Sequence, residues 1–247
     1  MAEPPGAVIR GPVFRFWSHA KEGASDSDCR LSNLRQATVE FRGALYPSSE
    51  HAYQAAAKFP PAVRGRFQVG GDLSTFSGLR FFVPREKLQK TIEHWYAATI
   101  LLASGLHSSK SASNIVAGRG KKQMVGIVAK MASNPKHAAA AGLPPPSAPR
   151  DFSAEIFFPI LLSKFTRSAE LRGVLLGTGE KYLLEFVRGA ERRERGGGGR
   201  ERWGGLLKDG EEDEAEGRVL FGENRMGRAL MWVRDEVRRR GNARQGA

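Results

Sequence analysis

The chain has 247 residues, 40% of them hydrophobic, and its 39 lysines and arginines against 26 aspartates and glutamates give a formal net charge of +13. This length allows one well-formed hydrophobic core. The positive net charge has two possible explanations, an anionic ligand or a charged surface that keeps the protein in solution. The one cysteine, Cys29, excludes an internal disulfide framework and a multi-cysteine metal site. Because the histidines show no metal spacing and no apolar run is long enough to cross a bilayer, we expect a soluble, cytoplasmic protein with no metal, cofactor or membrane partner.

The first half of the chain predicts a short sheet segment followed by helices. In chain order the predicted elements are a flexible tail at 1–12, a strand at 13–17, a hairpin at 38–46, a short helix at 47–59, loops with one short helix at 64–84, and helices at 87–106 and 123–132. The hairpin is expected to turn at Arg42 and Gly43. The helix at 123–132 is expected to have an apolar face made of Met124, Ile127, Val128 and Met131.

The second half alternates helices with segments of biased composition. The predicted elements are a Pro/Ala linker or disordered insertion at 137–150, helices at 152–165 and 169–176, a strand at 181–187, a mobile Gly-rich basic and then acidic loop at 188–217, and a helix at 224–239. The last helix has an apolar stripe of Met226, Leu230, Val233 and Val237. We therefore predict a mainly helical α+β fold with a small β-sheet: one domain over 13–240, loop insertions at 107–150 and 188–217, and a tail at 241–247.

The segment PSSEHAYQAAAKF, residues 47–59, carries the first candidate site. Pro47 ends an extended segment, Ser48 or Ser49 can cap the helix, and Glu50 falls in its first turn. Helical spacing predicts that one face of this helix carries Glu50, Tyr53, Gln54, Ala57 and Lys58. The opposite face is mostly alanine. Two interpretations remain open: a reaction site, or an exposed polar stripe in which Glu50 complements the helix dipole.

A second candidate site opens the last predicted helix. In the string GENRMGR, residues 222–228, Asn224 is a suitable N-cap and Gly222 lets the backbone approach a ligand. Arg225 and Arg228 add positive charge where free N–H groups attract anions, which suits a phosphate or diphosphate. Upstream, Trp203 beside a glycine is either a loop anchor or a surface on which a base stacks.

Several separated motifs in a fixed order resemble the NADAR domain family, the YbiA-like N-glycosidases. They are Phe16-Trp17, LSNL (31–34), the hairpin, PSSEHAYQAAAKF (47–59), LLSKF (161–165), ELRGVLLGTG (170–179), YLLEF (182–186), RWGG (202–205) and GENRMGRALMWVR (222–234). The resemblance implies a compact, mainly helical α+β domain, YbiA-like in fold. It also implies hydrolysis of the N-glycosidic bond between a ribose phosphate or ADP-ribose and a nitrogen base. The expected partner is thus a small ribosylated base, such as a riboflavin-pathway intermediate, or an ADP-ribose conjugate.

This reaction assigns roles to the candidate residues. Breaking the bond from C1 of ribose to nitrogen develops positive charge at C1, which a nearby carboxylate stabilises. Glu50 at a helix N-terminus is expected to be ionised and to activate water. Glu185, carried over from the resemblance, either orients water and ribose hydroxyls or forms an ion pair. The expected substrate contacts come from Asn33, Gln54 and Lys58 to ribose or phosphate, Trp203 to the base, and Asn224 and Arg225 to phosphate.

One departure from the family pattern leaves an alternative function open. Members commonly have an aspartate shortly before the Trp-Gly pair, and here the residues are Arg200, Glu201 and Arg202, so that the acid is missing or displaced to Glu201. The alternative is a non-catalytic module that binds ADP-ribose or nucleic acid. The arginines of 188–202 and 234–244 would then contact nucleic acid, or they pair with the glutamates and aspartates interleaved among them.

Overall fold

The computed structural model describes residues 4, 6–17, 20, 22–75, 78, 81, 125–147, 154–197, 200–209 and 217–245. The chain divides into two compact units, a terminal unit made of Met1–Ser32 and Ser168–Ala247 and a central unit made of Asn33–Arg167. The single domain over 13–240 stays a prediction. The helix predicted at 87–106 lies outside the described residues, as do residues 107–124 and 148–150 of the insertion predicted at 107–150.

The described residues form an α+β fold in which helices predominate, and this predicted class is confirmed. The strands are β1 (Val8–Ile9), β2 (Val13–Phe16), β3 (Val39–Phe41), β4 (Ala44–Tyr46), β5 (Tyr182–Glu185), β6 (Gly205–Asp209) and β7 (Arg218–Gly222). The α-helices are α1 (Ser49–Lys58), α2 (Pro61–Arg64), α3 (Gly126–Ala132), α4 (Pro135–Ala140), α5 (Ala154–Arg167), α6 (Ala169–Gly177), α7 (Ala190–Arg195) and α8 (Arg225–Gln245). None of these helices combines the length and the apolar character that crossing a bilayer requires.

The hairpin of the central unit follows the sequence prediction. Val39 pairs with Tyr46 and Phe41 with Ala44. The two turn residues, Arg42 and Gly43, have φ angles of 52° and 77°. Two consecutive left-handed residues make the tight turn that matches the twist of paired strands. The hairpin therefore ends two residues before Ser48, where the next helix is capped.

Helix α1 is the centre of the central unit and packs against α3, α5 and the hairpin. The ring of Tyr53 meets the ring of Phe157 edge to face, with centroids 5.1 Å apart. The buried face of α3 consists of Gly126, Val128, Ala129 and Ala132. Of the apolar face predicted for this helix, only Val128 is buried; Ile127 and Met131 are half-buried, and Met124 is outside the described residues. Small side chains are buried because α3 lies very close to the backbone of the central unit.

The terminal unit contains two small sheets and the last helix. One has the strand order β1-β7-β6, and the other is the parallel pair of β2 with β5, in which Phe16 lies opposite Glu185. Helix α8 packs against β5 and α6. The apolar stripe predicted on α8 is confirmed, because its four members are buried: Met226, Leu230, Val233 and Val237.

Four segments predicted as loops or tails contain regular structure. Residues 8–9 of the predicted tail form β1, which is held by antiparallel pairing with β7. The predicted linker at 137–150 begins inside α4, since Asn134 caps this helix and its first proline is at the favourable first position. The segment 188–217 contains α7 and β6, and Glu191 of α7 forms ion pairs with Arg195 and Lys208. The last helix continues into the predicted tail at 241–247 and ends at Gln245.

Candidate functional site

The start of helix α1 is fixed by a buried pair, Ser48 and His51. The Ser48 hydroxyl accepts a hydrogen bond from the backbone N–H of His51 at 3.3 Å and lies 2.8 Å from its Nδ1. His51 Nε2 lies 2.9 Å from the carbonyl oxygen of Leu73. A carbonyl only accepts, so Nε2 carries the proton and Nδ1 accepts from the Ser48 hydroxyl. Burial lowers the pKa of His51 to about 4. The imidazole is therefore neutral. The N-cap of α1 is Ser48, one of the two serines that the sequence left open.

Glu50 lies in the first turn of this helix and is 8% exposed. Its Oε1 accepts a hydrogen bond of 2.6 Å from Nε2 of Gln54, one helical turn later. Gln54 and Tyr53, which share this face of the helix, are both 6% exposed. The interpretation of this face as an exposed polar stripe is therefore wrong, because the face is packed inside the central unit.

The protonation of Glu50 is set by opposing effects. Burial raises the pKa of the carboxyl above its usual range, while the bond from Gln54 and the positive charges of Lys130 and Lys58 act in the opposite direction. The net direction is upward. The expectation that Glu50 at the helix N-terminus is ionised stays a prediction, and desolvation of the charged form acts against it.

The central unit brings four of the predicted site residues together. Glu50, Gln54 and Lys58 succeed each other at one-turn intervals on α1, and the carbonyl of Asn33 accepts a hydrogen bond of 3.3 Å from the backbone N–H of Glu50. Among the described residues, two buried side-chain oxygens of this group have no hydrogen-bond partner, Asn33 Oδ1 and Gln54 Oε1. A buried oxygen without a donor is costly. A ligand that donates hydrogen bonds would satisfy both.

Two residues of this site were missed by the sequence analysis, Gly126 and Lys130 of α3. A Cβ at Gly126 would lie 2.7 Å from the Cα of Leu34 and 2.9 Å from the Cβ of Glu50, so this position requires glycine. Lys130 comes one helical turn after Gly126 and is exposed. Because they are four residues apart, both lie on one face of the helix predicted at 123–132. No local pattern, however, indicated that this face meets Glu50.

The terminal unit commits Asn224 to the neighbouring strand. Its Oδ1 accepts from the backbone N–H of Glu185 at 3.0 Å. Its Nδ2 donates to the hydroxyl of Tyr182 at 2.9 Å and to the carbonyl of Leu183 at 2.7 Å. Asn224 is fully buried, with a φ of 43° that asparagine tolerates better than most residues. Neither N–H of its carboxamide is therefore available to a phosphate, in contrast to the role expected from the sequence.

The first turn of α8 is covered by the backbone of the segment 201–204. The N–H of Arg225 donates to the carbonyl of Arg202 at 3.2 Å, and the N–H of Met226 donates to that of Trp203 at 2.9 Å. The guanidinium of Arg225 is ion-paired with Glu223. The N–H groups that would attract an anion are thus used within the protein. Arg225, like Asn224, has a structural partner at the position predicted for phosphate.

The half-buried Trp203 is positioned by Glu201, the acid nearest the expected aspartate. One oxygen of the Glu201 carboxylate accepts from the backbone N–H of Trp203 at 3.3 Å. The other is ion-paired with Arg193 at 2.5 Å. Glu201 therefore stabilises the loop around Trp203, and its charge is largely neutralised by an arginine.

The two arginine-rich segments contain many internal ion pairs. In the first, Arg195 pairs with Glu191 and Arg200 approaches Glu194. In the second, Arg239 and Arg240 both pair with Glu236. These contacts support the interpretation of a self-paired surface. A nucleic-acid partner stays a prediction.

Comparison with known proteins yields one solved structure. Neither a protein-family model nor a curated protein sequence matches the chain. The NMR structure of the E. coli protein YbiA aligns with 95% of this chain and 89% of its own, at 18% sequence identity and a TM-score of 0.43.

Proposed function

We propose that the protein is an N-glycosidase that hydrolyses the bond between a ribose phosphate or ADP-ribose and a nitrogen base. The observation that carries this proposal is Glu50, a buried carboxyl hydrogen-bonded to Gln54 and close enough to Lys58 and Lys130 for their charges to act on it. A buried carboxyl with a raised pKa, among polar side chains, is a typical feature of reaction sites. The ordered motifs that resemble the NADAR family support the same reaction.

The proposed reaction adds water across the C1–N bond of the ribosylated base. The bond from C1 to nitrogen breaks with its electron pair on the base, and positive charge develops on C1 and the ring oxygen. The Glu50 carboxylate stabilises this charge and accepts a proton from the attacking water. The water oxygen bonds to C1, the departing base takes up one proton from solvent, and Glu50 then releases its proton to solvent, so that the net reaction consumes one water. A pKa raised by burial suits a group that must accept a proton in the transition state.

The other residues hold the substrate in this proposal. Asn33 and Gln54 offer buried oxygens to ribose hydroxyls, and Lys58 offers a positive charge. The roles expected for Glu185, with water or ribose hydroxyls, and for Trp203, with the base, stay predictions. Asn224 and Arg225 are given positioning roles in place of phosphate binding.

The alternative is a module that binds ADP-ribose or nucleic acid without turnover. One observation favours it: the residue that stands near the expected aspartate, Glu201, is ion-paired with Arg193. If catalysis requires a free carboxylate there, the protein binds its ligand and leaves the bond intact.

The test is product release from two substrates. The protein is incubated with a riboflavin-pathway ribosylamine phosphate and with ADP-ribosylated DNA, and released base or ADP-ribose is quantified. We expect Glu50→Gln to reduce turnover roughly 10²-fold or more, because it keeps the size of the side chain and removes its charge. Glu155→Gln is the matched control, since Glu155 is exposed on α5 in the same unit. Undiminished turnover of Glu50→Gln contradicts the assignment of Glu50, and binding without product from either substrate favours the module.

A further inference from the structure

Two lysines of the central unit, Lys58 and Lys130, have side-chain ammonium groups without a bonded partner among the described residues. Neither Nζ atom forms a hydrogen bond or an ion pair with these residues. Most arginines of the terminal unit that were candidates for anion binding do have carboxylate or carbonyl partners, including Arg225 with Glu223. The unpaired positive charge of the candidate site is therefore on α1 and α3.

The packing of α3 on α1 explains why the two lysines are near each other. Gly126 lies against the Cβ of Glu50, and the N–H of Gly126 donates to the carbonyl of Leu34 at 3.0 Å. Lys130 follows Gly126 by one helical turn, and Lys58 follows Glu50 by two turns. Lys130 is thus one turn from the contact between α3 and α1, and the charges of both lysines act on the Glu50 carboxyl.

The charges of these groups act on one another. The pKa of the half-buried Lys58 is lowered by desolvation and by the positive charge of Lys130, while Glu50 partly offsets these effects. Two like charges held near each other in a partly desolvated place are unfavourable. A bound anion would stabilise both.

We propose that Lys58 and Lys130 form an anion subsite beside Glu50 that binds the phosphate group of the substrate. Two buried side-chain oxygens of the same unit have no donor: Oε1 of Gln54, which comes one helical turn before Lys58, and Oδ1 of Asn33, whose carbonyl accepts from the N–H of Glu50. Phosphate oxygens do not donate hydrogen bonds at neutral pH, so these acceptors suit sugar hydroxyls and the lysines suit the phosphate. The site therefore has a hydroxyl end and an anion end, which is the pattern of a sugar phosphate. This assignment rests on the proposed function for the sugar, and it replaces the first turn of α8 as the place where phosphate binds.

The test measures binding of ribose 5-phosphate, ribose and inorganic phosphate by calorimetric titration of the full chain. We expect Lys58→Gln and Lys130→Gln each to weaken ribose 5-phosphate binding about 10-fold or more, since a hydrogen bond to a charged group contributes about 1.5–3 kcal/mol. Ribose binding should be almost unchanged in both variants. Lys136→Gln is the matched control: it removes one positive charge from an exposed position of α4 in the same unit. Because Lys130 is exposed, its substitution leaves the fold intact, and thermal unfolding of each variant verifies this.

Two results overturn the subsite. One is equal weakening in all three variants, which would show a general effect of net charge. The other is the absence of any difference between ribose and ribose 5-phosphate in the wild-type protein. The subsite and the reaction fail separately: phosphate-dependent binding without base release keeps the subsite and rejects hydrolysis. Base release that is insensitive to Lys58→Gln and Lys130→Gln keeps hydrolysis and rejects the subsite.

Discussion

Gln54 donates a hydrogen bond of 2.6 Å to Glu50 inside the central unit, and the two side chains are 6% and 8% exposed. The amide nitrogen can only donate, so the bond as oriented stabilises the ionised carboxylate. It opposes the effect of burial, which favours the protonated form. The hydrogen bond from Gln54 therefore does two things: it holds the Glu50 carboxylate in place, and it favours the ionised form of this group.

Gln54→Met should shift the pH dependence of turnover. The substitution keeps side-chain length and removes the bond that lowers the pKa of Glu50, while the charges of Lys58 and Lys130 remain. The pKa then rises further, and the acidic limb of kcat/KM against pH moves to higher pH. On that limb we expect a loss of roughly 10-fold, from about 1.5–3 kcal/mol for a hydrogen bond to a charged group. Gln68→Met, at a half-buried position of the same unit, should leave the profile in place. Gln54→Met also loses the proposed contact to a ribose hydroxyl, which lowers kcat/KM at all pH values, so the position of the acidic limb is the readout. An acidic limb at the same pH as in the wild-type protein would contradict the effect of this hydrogen bond on the pKa.

Glu50→Gln should stabilise the fold at neutral pH. The pKa of Glu50 is higher in the folded protein than its usual value of 4.5, so the folded state binds more protons than the unfolded chain between these two pKa values. The stability of the wild-type protein therefore falls as the pH rises through that window and stays reduced above it. We therefore expect Glu50→Gln to be more stable than the wild-type protein at pH 7, because the substitution removes a carboxyl whose charged form is destabilised by burial. Urea unfolding at pH 4 and pH 7 tests this, and the gain should shrink at the lower pH.

Gly126→Ala should damage both stability and the site. The new methyl group would lie within 2.9 Å of the Glu50 Cβ and the Ser48 hydroxyl, so α3 must move away from α1. We expect a cost of about 1–3 kcal/mol from overpacking and weaker binding of ribose 5-phosphate. Gly173→Ala is the control, because Gly173 is in α6 and a Cβ added there would meet no neighbouring atom. Alanine at this position should stabilise the fold by up to about 1 kcal/mol. Similar unfolding curves for the two variants would contradict the close contact at Gly126.

Asn224→Ala should lower stability without a specific effect on phosphate. The variant loses three hydrogen bonds to β5 and places alanine at a φ of 43°. We expect a loss of about 3 kcal/mol, since each buried polar group left unpaired costs about 1–3 kcal/mol. Asn134→Ala removes a single exposed cap bond on α4 and should cost about 1 kcal/mol. Equal midpoints in thermal unfolding would show that the Asn224 network contributes little.

The sequence by itself determined the local elements of this protein. The serine cap at Ser48 or Ser49, the turn at Arg42 and Gly43 and the apolar stripe of α8 each depend on residues within a few positions of one another. Helical spacing also indicated that Glu50, Gln54 and Lys58 share a face. Such patterns are set by backbone geometry, which is the same in every context.

Only the tertiary structure decided what those faces meet. The polar face of α1 is compatible with solvent or with a packed helix, and the contact with Gly126 and Lys130 joins segments distant in the sequence. Asparagine is a residue type that often caps helices. The carboxamide of Asn224 nevertheless forms hydrogen bonds to β5, because that strand lies beside the start of α8. Burial of Glu50 depends on the same packing, and desolvation outweighs the helix dipole because the charged form loses its water. The spacing of residues along one helix carries no information on such neighbours, so the chemistry of the site follows from the fold.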